Sequence, residues 1–394
     1  MFSKKIVKNL SNASWIRAMF EQGEKLRKIH GEENVFDFTL GNPDPEPPLK
    51  VKETLIELVS GNKKGLHRYM NNAGFIDVRE KIAHQINKEI EAQLTSKNII
   101  MTCGAAGGLN VILKALLNPL EEVIIFAPYF VEYNFYIDNH GGKSVVVNTD
   151  ANTFQPDLDL FKKNINKNTK AIILNSPNNP TGVVYKEEIL IGMSNVIKEA
   201  EKEYGNTIFV ISDEPYNKLV YDNVDVPSIL KIFNNSLVVT SYSKSLALPG
   251  ERIGYIAVNN NIKNIDILIN ALVFCNRTLG YVNAPALFQK VIKESLDEKV
   301  DTLIYKERRD ILYNYLIKLG FLCIKPEGAF YLFPKSLIAD DVQFVKSALK
   351  YNLLLVPGSG FGYPGNFRIS YCVSKKTIEN SLNAFQLLYN EFIL

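Results

Sequence analysis

The sequence predicts an α/β fold, in which a large domain with a mostly parallel sheet sandwiched by helices is accompanied by a smaller α+β domain. Three observations predict it. Short apolar, β-branched runs alternate with helical patterns through the middle of the chain. Those runs are apolar on both faces, which suits strands of a parallel sheet covered by helices on either side. At 394 residues the chain exceeds one ordinary domain and can bury a substantial core.

The elements follow in order. The opening MFSKKIVKNLSNASWIRAMF has no continuous apolar core, being broken by Lys8, Asn9, Ser11 and Asn12, so no secretion signal is expected. The Pro-rich LGNPDPEPP, ending at Pro48, reads as a segment crossing between domains. Residues 108–117 place apolar side chains at helical spacing, and EVIIFAP, closed by Pro128, reads as a buried strand. KAIILNSPNNPTG gives a strand over 170–175 stopped by Pro and Asn. TIFVISDEPY is a strand ending in Asp213, and SLVVTSYSK another ending near Lys244. After about Pro285 the character changes to a long charged helical stretch, 288–319, then to short strands in FLCIKPEGAFYLF, NLLLVPGSGFG and FRISYC. That is the smaller α+β domain.

Composition narrows the function. With 45 basic and 42 acidic residues the net charge is +3, too close to balance to imply a nucleic-acid surface by itself, so no nucleic-acid partner is expected and any bound anion is met by local groups. No stretch approaches the roughly 18 uninterrupted apolar residues that span a bilayer. The four cysteines, Cys103, Cys275, Cys323 and Cys372, lie far apart with no C-x-x-C pair. Neither a zinc site, nor any other metal centre, nor a disulfide framework is expected, and a reducing cytoplasm fits.

Four features carry chemistry, each just beyond an apolar run. In TCGAAGGLN, the small residues Gly104, Ala105 and Ala106 precede a helix and leave backbone N–H groups free for a phosphate; a tight helix start against a strand would use the same residues. In SPNNPTG, Asn179 is held on a rigid turn, which could be a turn and nothing more. In SDEPY, Asp213 closes a buried strand, where a carboxylate is costly without a cation or donor, and Tyr216 follows; a helix N-cap is the other reading. In SYSKSLALPGERIGY, Lys244 leaves an apolar strand among Ser241, Ser243 and Ser245, with Arg252 eight residues on. Desolvation there lowers an amine pKa towards the nucleophilic range a Schiff-base lysine needs, whereas a solvated turn would leave it an ordinary lysine.

In order and spacing, from about position 40 to 372, the set resembles the fold type I, pyridoxal phosphate-dependent aminotransferases of classes I and II, of the aspartate aminotransferase type. The resemblance implies that Lys244 forms the aldimine with pyridoxal phosphate and is the general base, and that Asp213 pairs with the protonated pyridinium nitrogen. It implies that Asn179 and Tyr216 donate to the ring's phenolic oxygen and that Phe130, in PYFVEY, stacks on the ring. The phosphate would take Gly104, Ala105, Ala106, Ser241, Ser243 and Arg252, with Tyr69 reaching it from a neighbouring subunit of a homodimer with shared active sites. Many relatives place a polar residue in the loop where this chain has Ala105 and Ala106, so more of the binding falls to backbone and neighbours. Arg368, in FRISYC, would clamp the substrate carboxylate with its planar fork, with Gly41 offering a backbone N–H nearby.

The implied reaction moves an amino group from an L-amino acid to a 2-oxo acid. A β-lyase or synthase would share the same cofactor residues. A regulator built on this fold would need a DNA-binding domain ahead of the first motif at about residue 40. For a dicarboxylic substrate such as aspartate, Arg277, in CNRTLGYVNAP, is the candidate second cation, with Arg17 as another; an exposed or structurally paired Arg277 is the alternative. The implied organisation is an arm and part of the small domain over 1–47, a large cofactor domain over 48–284 and a small domain over 285–394, the small domain being formed from both chain ends.

Overall fold

Alternate residues of one apolar run feed two separate cores. In the computed structural model, which describes residues 2–11, 15–61 and 64–393 apart from the side chains at 11, 15–18, 20 and 21, twelve strands are described. They are β1 (Phe36–Asp37), β2 (Ile99–Thr102), β3 (Glu122–Ala127), β4 (Lys143–Asn148), β5 (Thr169–Asn175), β6 (Phe209–Asp213), β7 (Ser236–Ser241), β8 (Gly254–Val258), β9 (Tyr331–Leu332), β10 (Leu353–Leu354), β11 (Val356–Pro357) and β12 (Phe367–Ser370). Seven of them form one sheet in the order β2-β8-β7-β6-β5-β3-β4. Strands β3 to β7 run parallel, and β8 is antiparallel to both its neighbours.

Period-two alternation explains the two cores. Within β3, Ile124 and Phe126 join the face packed by the helices Ile76–Ile90 and Glu187–Tyr204, whereas Val123, Ile125 and Ala127 join the face packed by Gly104–Leu116 and Ile265–Thr278. Each fully buried Ile or Val is worth roughly 1.5–3 kcal/mol over leaving it in water. The sheet is therefore fixed from both sides, and its carboxyl edge becomes a rigid platform.

The smaller layer draws on both chain ends. Strand β1 pairs in parallel with β10, and β9 and β11 flank β12 in antiparallel pairs. Phe38 packs with Leu316, Phe330, Phe344, Phe367 and Phe385 in one buried cluster. The helices Thr302–Leu319 and Lys375–Ile393 cover it.

Three sequence-read boundaries need correction. The helix expected over 108–117 begins at Gly104, because the small residues before it continue the helical turn. The helical stretch 288–319 is two helices, Ala286–Glu294 and Thr302–Leu319. It breaks where the Val300 N–H donates to the Ser245 carbonyl (2.8 Å) and Asp301 caps the second helix by accepting from the Leu303 N–H (2.9 Å). FLCIKPEGAFYLF contains only β9, the rest being irregular.

Strand β8 carries a close approach that only glycine permits: a Cβ on Gly254 would lie 2.3 Å from the Thr240 carbonyl oxygen. Both partners are backbone, so neither yields as a side chain tip would. Gly254→Ala is expected to destabilise the protein by about 1–3 kcal/mol through overpacking, read as a lower denaturant midpoint at unchanged slope. An unchanged midpoint would show that the sheet absorbs the methyl group.

Candidate active site

The carboxyl ends of β5, β6 and β7 lie side by side, with Asn175 opposite Asp213 and Asp213 opposite Val239. Such strand ends are where open α/β sheets collect functional groups. Asn175 organises the first turn: its Nδ2 donates to the Asp213 carbonyl (2.8 Å), and its Oδ1 accepts from the Asn179 N–H (2.7 Å). The turn that carries Asn179 is thereby tied to the strand that carries Asp213.

Asp213 is only 6% exposed. Its Oδ2 accepts a hydrogen bond from the Tyr133 hydroxyl (2.6 Å), while Oδ1 is buried with no partner among the described residues. Burial pushes the carboxyl up to about 6, against the lowering influence of the Tyr133 bond. An orphaned carboxylate oxygen at a strand end calls for a donor from outside the protein.

Lys244 sits on the single helical turn Tyr242–Ser245 that follows β7. Burial lowers its amine to about 8; Cys372 opposes that, and the positive charges of Arg252 and Arg368 add to it. Its Nζ donates to the Gly41 carbonyl and lies 5.6 Å from the centre of the Phe330 ring. The helix Gly104–Leu116 points its amino terminus to the same place. Arg252 is pressed against that terminus so closely that a Cβ on Gly104 would lie 2.6 Å from its Nη2. Free N–H groups and a guanidinium together suit a phosphate.

Arg368, on β12, is 2% exposed. Its Nη1 donates to Asn179 Oδ1 (3.0 Å) and its Nη2 to the Thr39 carbonyl, leaving Nε without a partner among the described residues. The guanidinium lies 4.7 Å from the ring centres of both Tyr331 and Phe361. Burial weakens its hold on its proton, an effect the polarity of Tyr331 and Tyr216 opposes. No carboxylate is among its partners in the described residues, so it is a charged clamp that lacks a counter-ion there.

A cavity of about 260 Å³ brings these groups together, lined among others by Gly41, Ala105, Ala106, Phe130, Asn179, Asp213, Tyr216, Ser241, Ser243, Lys244, Arg252 and Arg368. Gly104 borders it through its contact with Arg252. Phe130 packs its ring against Tyr133 edge-on, with centres 5.6 Å apart. Two expected residues lie elsewhere. Tyr69 is 90% exposed, on a surface hollow beside Asn283 and Pro285. Arg277 stacks over the exposed Phe274 ring on the helix Ile265–Thr278, outside the cavity. The Arg17 side chain lies outside the described ones.

Sequence reading passed over Thr39, Tyr133, Asn175 and Tyr331. Tyr133 and Tyr331 stand inside quoted motifs, PYFVEY and GAFYLF, and an aromatic hydroxyl next to a motif residue was the available signal. A larger cleft, about 930 Å³, opens between residues 148–154 and 317–324 and gathers no comparable charges. Among the described residues, no group of three or more His, Cys, Asp or Glu is placed to hold a metal ion, and no helix is long and apolar enough to cross a membrane.

The arrangement suits a flat ring with an anionic tail. The tail would meet the helix terminus, Arg252, Ser241 and Ser243; a basic ring atom would meet Asp213; and a second molecule with a carboxylate would meet Arg368 beside a nucleophilic amine. Comparisons with known proteins give the family of the chain. Residues 33–385 match the family model for aminotransferases of class I and II. The chain is 32% identical over 363 residues to an aspartate aminotransferase of Thermotoga maritima, covering 91% of this chain and 92% of that one. A probable N-acetyl-LL-diaminopimelate aminotransferase of Bacillus subtilis is 30% identical, covering 90% and 89%. The crystal structure of an amino transferase from Eubacterium rectale superposes with a TM-score of 0.97 at 41% identity, covering 100% of both chains.

The raised Asp213 pKa makes a stability prediction. A carboxyl that holds its proton more tightly when folded favours the fold below its unfolded value, near 3.8, and loses that advantage as pH rises through about 6. In the ligand-free protein, Asp213→Asn is therefore expected to raise stability above pH 6 by up to about 3 kcal/mol, and to leave it nearly unchanged at pH 4. Denaturant midpoints at the two pH values check this. A gain equal at both would separate the effect from the ionisation of Asp213.

Proposed function

Because the chain belongs to the class I and II aminotransferases and transfers amino groups between amino acids and 2-oxo acids, we propose that it works with pyridoxal phosphate carried on Lys244 and takes aspartate as amino donor. The observation that carries this reading is the meeting, in one cavity, of the half-buried Lys244, its amine lowered by desolvation, and an Asp213 oxygen that has no partner among the described residues. When bound, the cofactor supplies an aldehyde carbon for an amine and a ring that takes up the electron pair left by a departing Cα proton.

Each residue has a task. Lys244, with its amine lowered to about 8, is neutral often enough near neutral pH to act as nucleophile and then as the base that moves the Cα proton. Asp213 Oδ1 accepts from the ring nitrogen and keeps it protonated, while Tyr133 holds the other oxygen. Asn179 and Tyr216 donate to the phenolic oxygen, and Phe130 covers one ring face. Gly104, Ala105, Ala106, Ser241, Ser243 and Arg252 hold the phosphate. Arg368 grips the substrate α-carboxylate, its plane fixed by two rings and two acceptors, with the Gly41 backbone alongside.

Aspartate as donor rests on the names of the relatives. Arg277 is the cation assigned to its second carboxylate. Since Arg277 and Tyr69 both lie outside the cavity of their own chain, they would serve the site of a second subunit in a homodimer. The proposed location is the cytoplasm, whose reducing state suits four free cysteines.

The test is a spectrophotometric half-reaction screen across amino acids, with aspartate expected to convert fastest. Lys244→Ala is expected to lose both the absorbance near about 420 nm and the half-reaction. A variant that cycled at the wild-type rate would defeat the reading, and release of pyruvate and ammonia from a cysteine-type substrate without an acceptor would make the protein a β-lyase.

Cofactor uptake by the cofactor-free protein supplies a pH test. Only the neutral amine attacks an aldehyde, so the uptake rate is expected to climb with pH and level off above about 8. A rate still climbing towards 10 would mean that Lys244 is solvated in the free protein.

A further inference from the structure

The ring of Tyr331 helps fix Arg368, but its hydroxyl has no task in the reaction as described. Its hydroxyl lies 2.9 Å from that of Tyr216, and both residues are buried. The Tyr331 hydroxyl also fills the space where a side chain at 41 would begin: a Cβ on Gly41 would lie 2.1 Å from it. The Tyr216 ring is held edge-on by both Phe330 and Tyr331, with centres 5.5 and 5.8 Å away. The Tyr331 ring is fixed in turn against the Arg368 guanidinium. Neither ring is free to swing its hydroxyl to another partner.

Each hydroxyl owns one hydrogen, and the bond between the two uses only one of them. We propose that Tyr331 is a positioning residue that donates to the Tyr216 oxygen and so commits the Tyr216 hydrogen to the phenolic oxygen of the bound cofactor; this rests on the reading of Tyr216 as a donor to that oxygen. The opposite arrangement, Tyr216 donating to Tyr331, would turn a lone pair towards an electron-rich oxygen. Burial pushes the Tyr331 hydroxyl up to about 12 and Tyr216 well above the usual tyrosine range, so both hydrogens stay in place near neutral pH.

A hydroxyl that accepts one hydrogen bond becomes a stronger donor of the next. The relay therefore draws negative charge from the phenolic oxygen. That oxygen then holds the neighbouring proton, on the nitrogen joining the cofactor to Lys244, less tightly. The pH midpoint of the absorbance near about 420 nm is a direct readout of that proton.

In the holoenzyme, Tyr331→Phe is expected to raise the midpoint by about half a pH unit or more, a threefold or greater change in proton affinity. Phenylalanine keeps the ring face against Arg368, so the effect falls on the midpoint and much less on KM for the amino donor. Tyr216→Phe should raise the midpoint further, and the double variant should add nothing to it. An unmoved midpoint in Tyr331→Phe, alongside a raised one in Tyr216→Phe, would overturn the relay and leave the Tyr216 reading intact. The relay fails in the same way if Tyr331→Phe changes only KM. An unmoved midpoint in both variants would bring down the Tyr216 reading and the relay with it.

Discussion

A guanidinium almost wholly buried and left without a carboxylate among the described residues is the constraint on which the rest of the molecule turns. An unpaired buried charge is among the most expensive features a protein can hold. Arg368 is kept in place by partners drawn from three parts of the chain: the Thr39 carbonyl of the crossing segment, the Asn179 amide of the turn after β5, and the rings of Tyr331 and Phe361. None of these neutralises it. They spread and orient the charge, so a carboxylate arriving from outside finds a partner whose desolvation and ordering are already complete.

The same economy runs along the sheet edge. Asp213 and Lys244 are both displaced towards neutrality by burial, the carboxyl upward and the amine downward. Two groups of opposite type, each held close to its balance point, suit proton traffic near neutral pH better than a fully charged pair would. The fold makes that possible because β5, β6 and β7 are pinned by cores on both faces. The cost of holding awkward groups at their ends is then carried by residues far from them.

Much of this was legible in the sequence, for identifiable reasons. Strands β3, β5, β6 and β7 are interior and apolar on both faces, so their runs stand out. Strand β4 is at the edge and mostly exposed or half-exposed, and β2 has only four residues; neither carries a strong pattern. Asn179, Asp213 and Lys244 announced themselves at or just past strand ends, Arg252 by standing in the same motif as Lys244, and Arg368, inside β12, through the family resemblance; the structure brings all five to one cavity. Tyr133, Tyr331 and Thr39 did not, because their roles depend on contacts with residues far along the chain. Thr39 contributes a backbone carbonyl, which no residue type encodes. The helix break before Thr302 was hidden for a similar reason, since the Val300 amide is claimed by a carbonyl more than fifty positions away.

The division between the two layers has an evolutionary consequence. Asp213, Lys244, Arg252 and the helix terminus at Gly104 hang from one rigid sheet, whereas Arg368 and Tyr331 belong to the smaller layer and Gly41 to the segment leading out of it. On the proposed reading, drift in the smaller layer at positions other than Arg368 and Tyr331 can reshape the wall that a substrate meets while the groups on the sheet stay still. The sheet corner has no such latitude, because Gly254 leaves no room for even a methyl group against the Thr240 carbonyl and Gly104 holds a positive φ of 71° that side chains rarely adopt. Lineages descending from such an ancestor would diversify in what they accept long before they changed what they do to it.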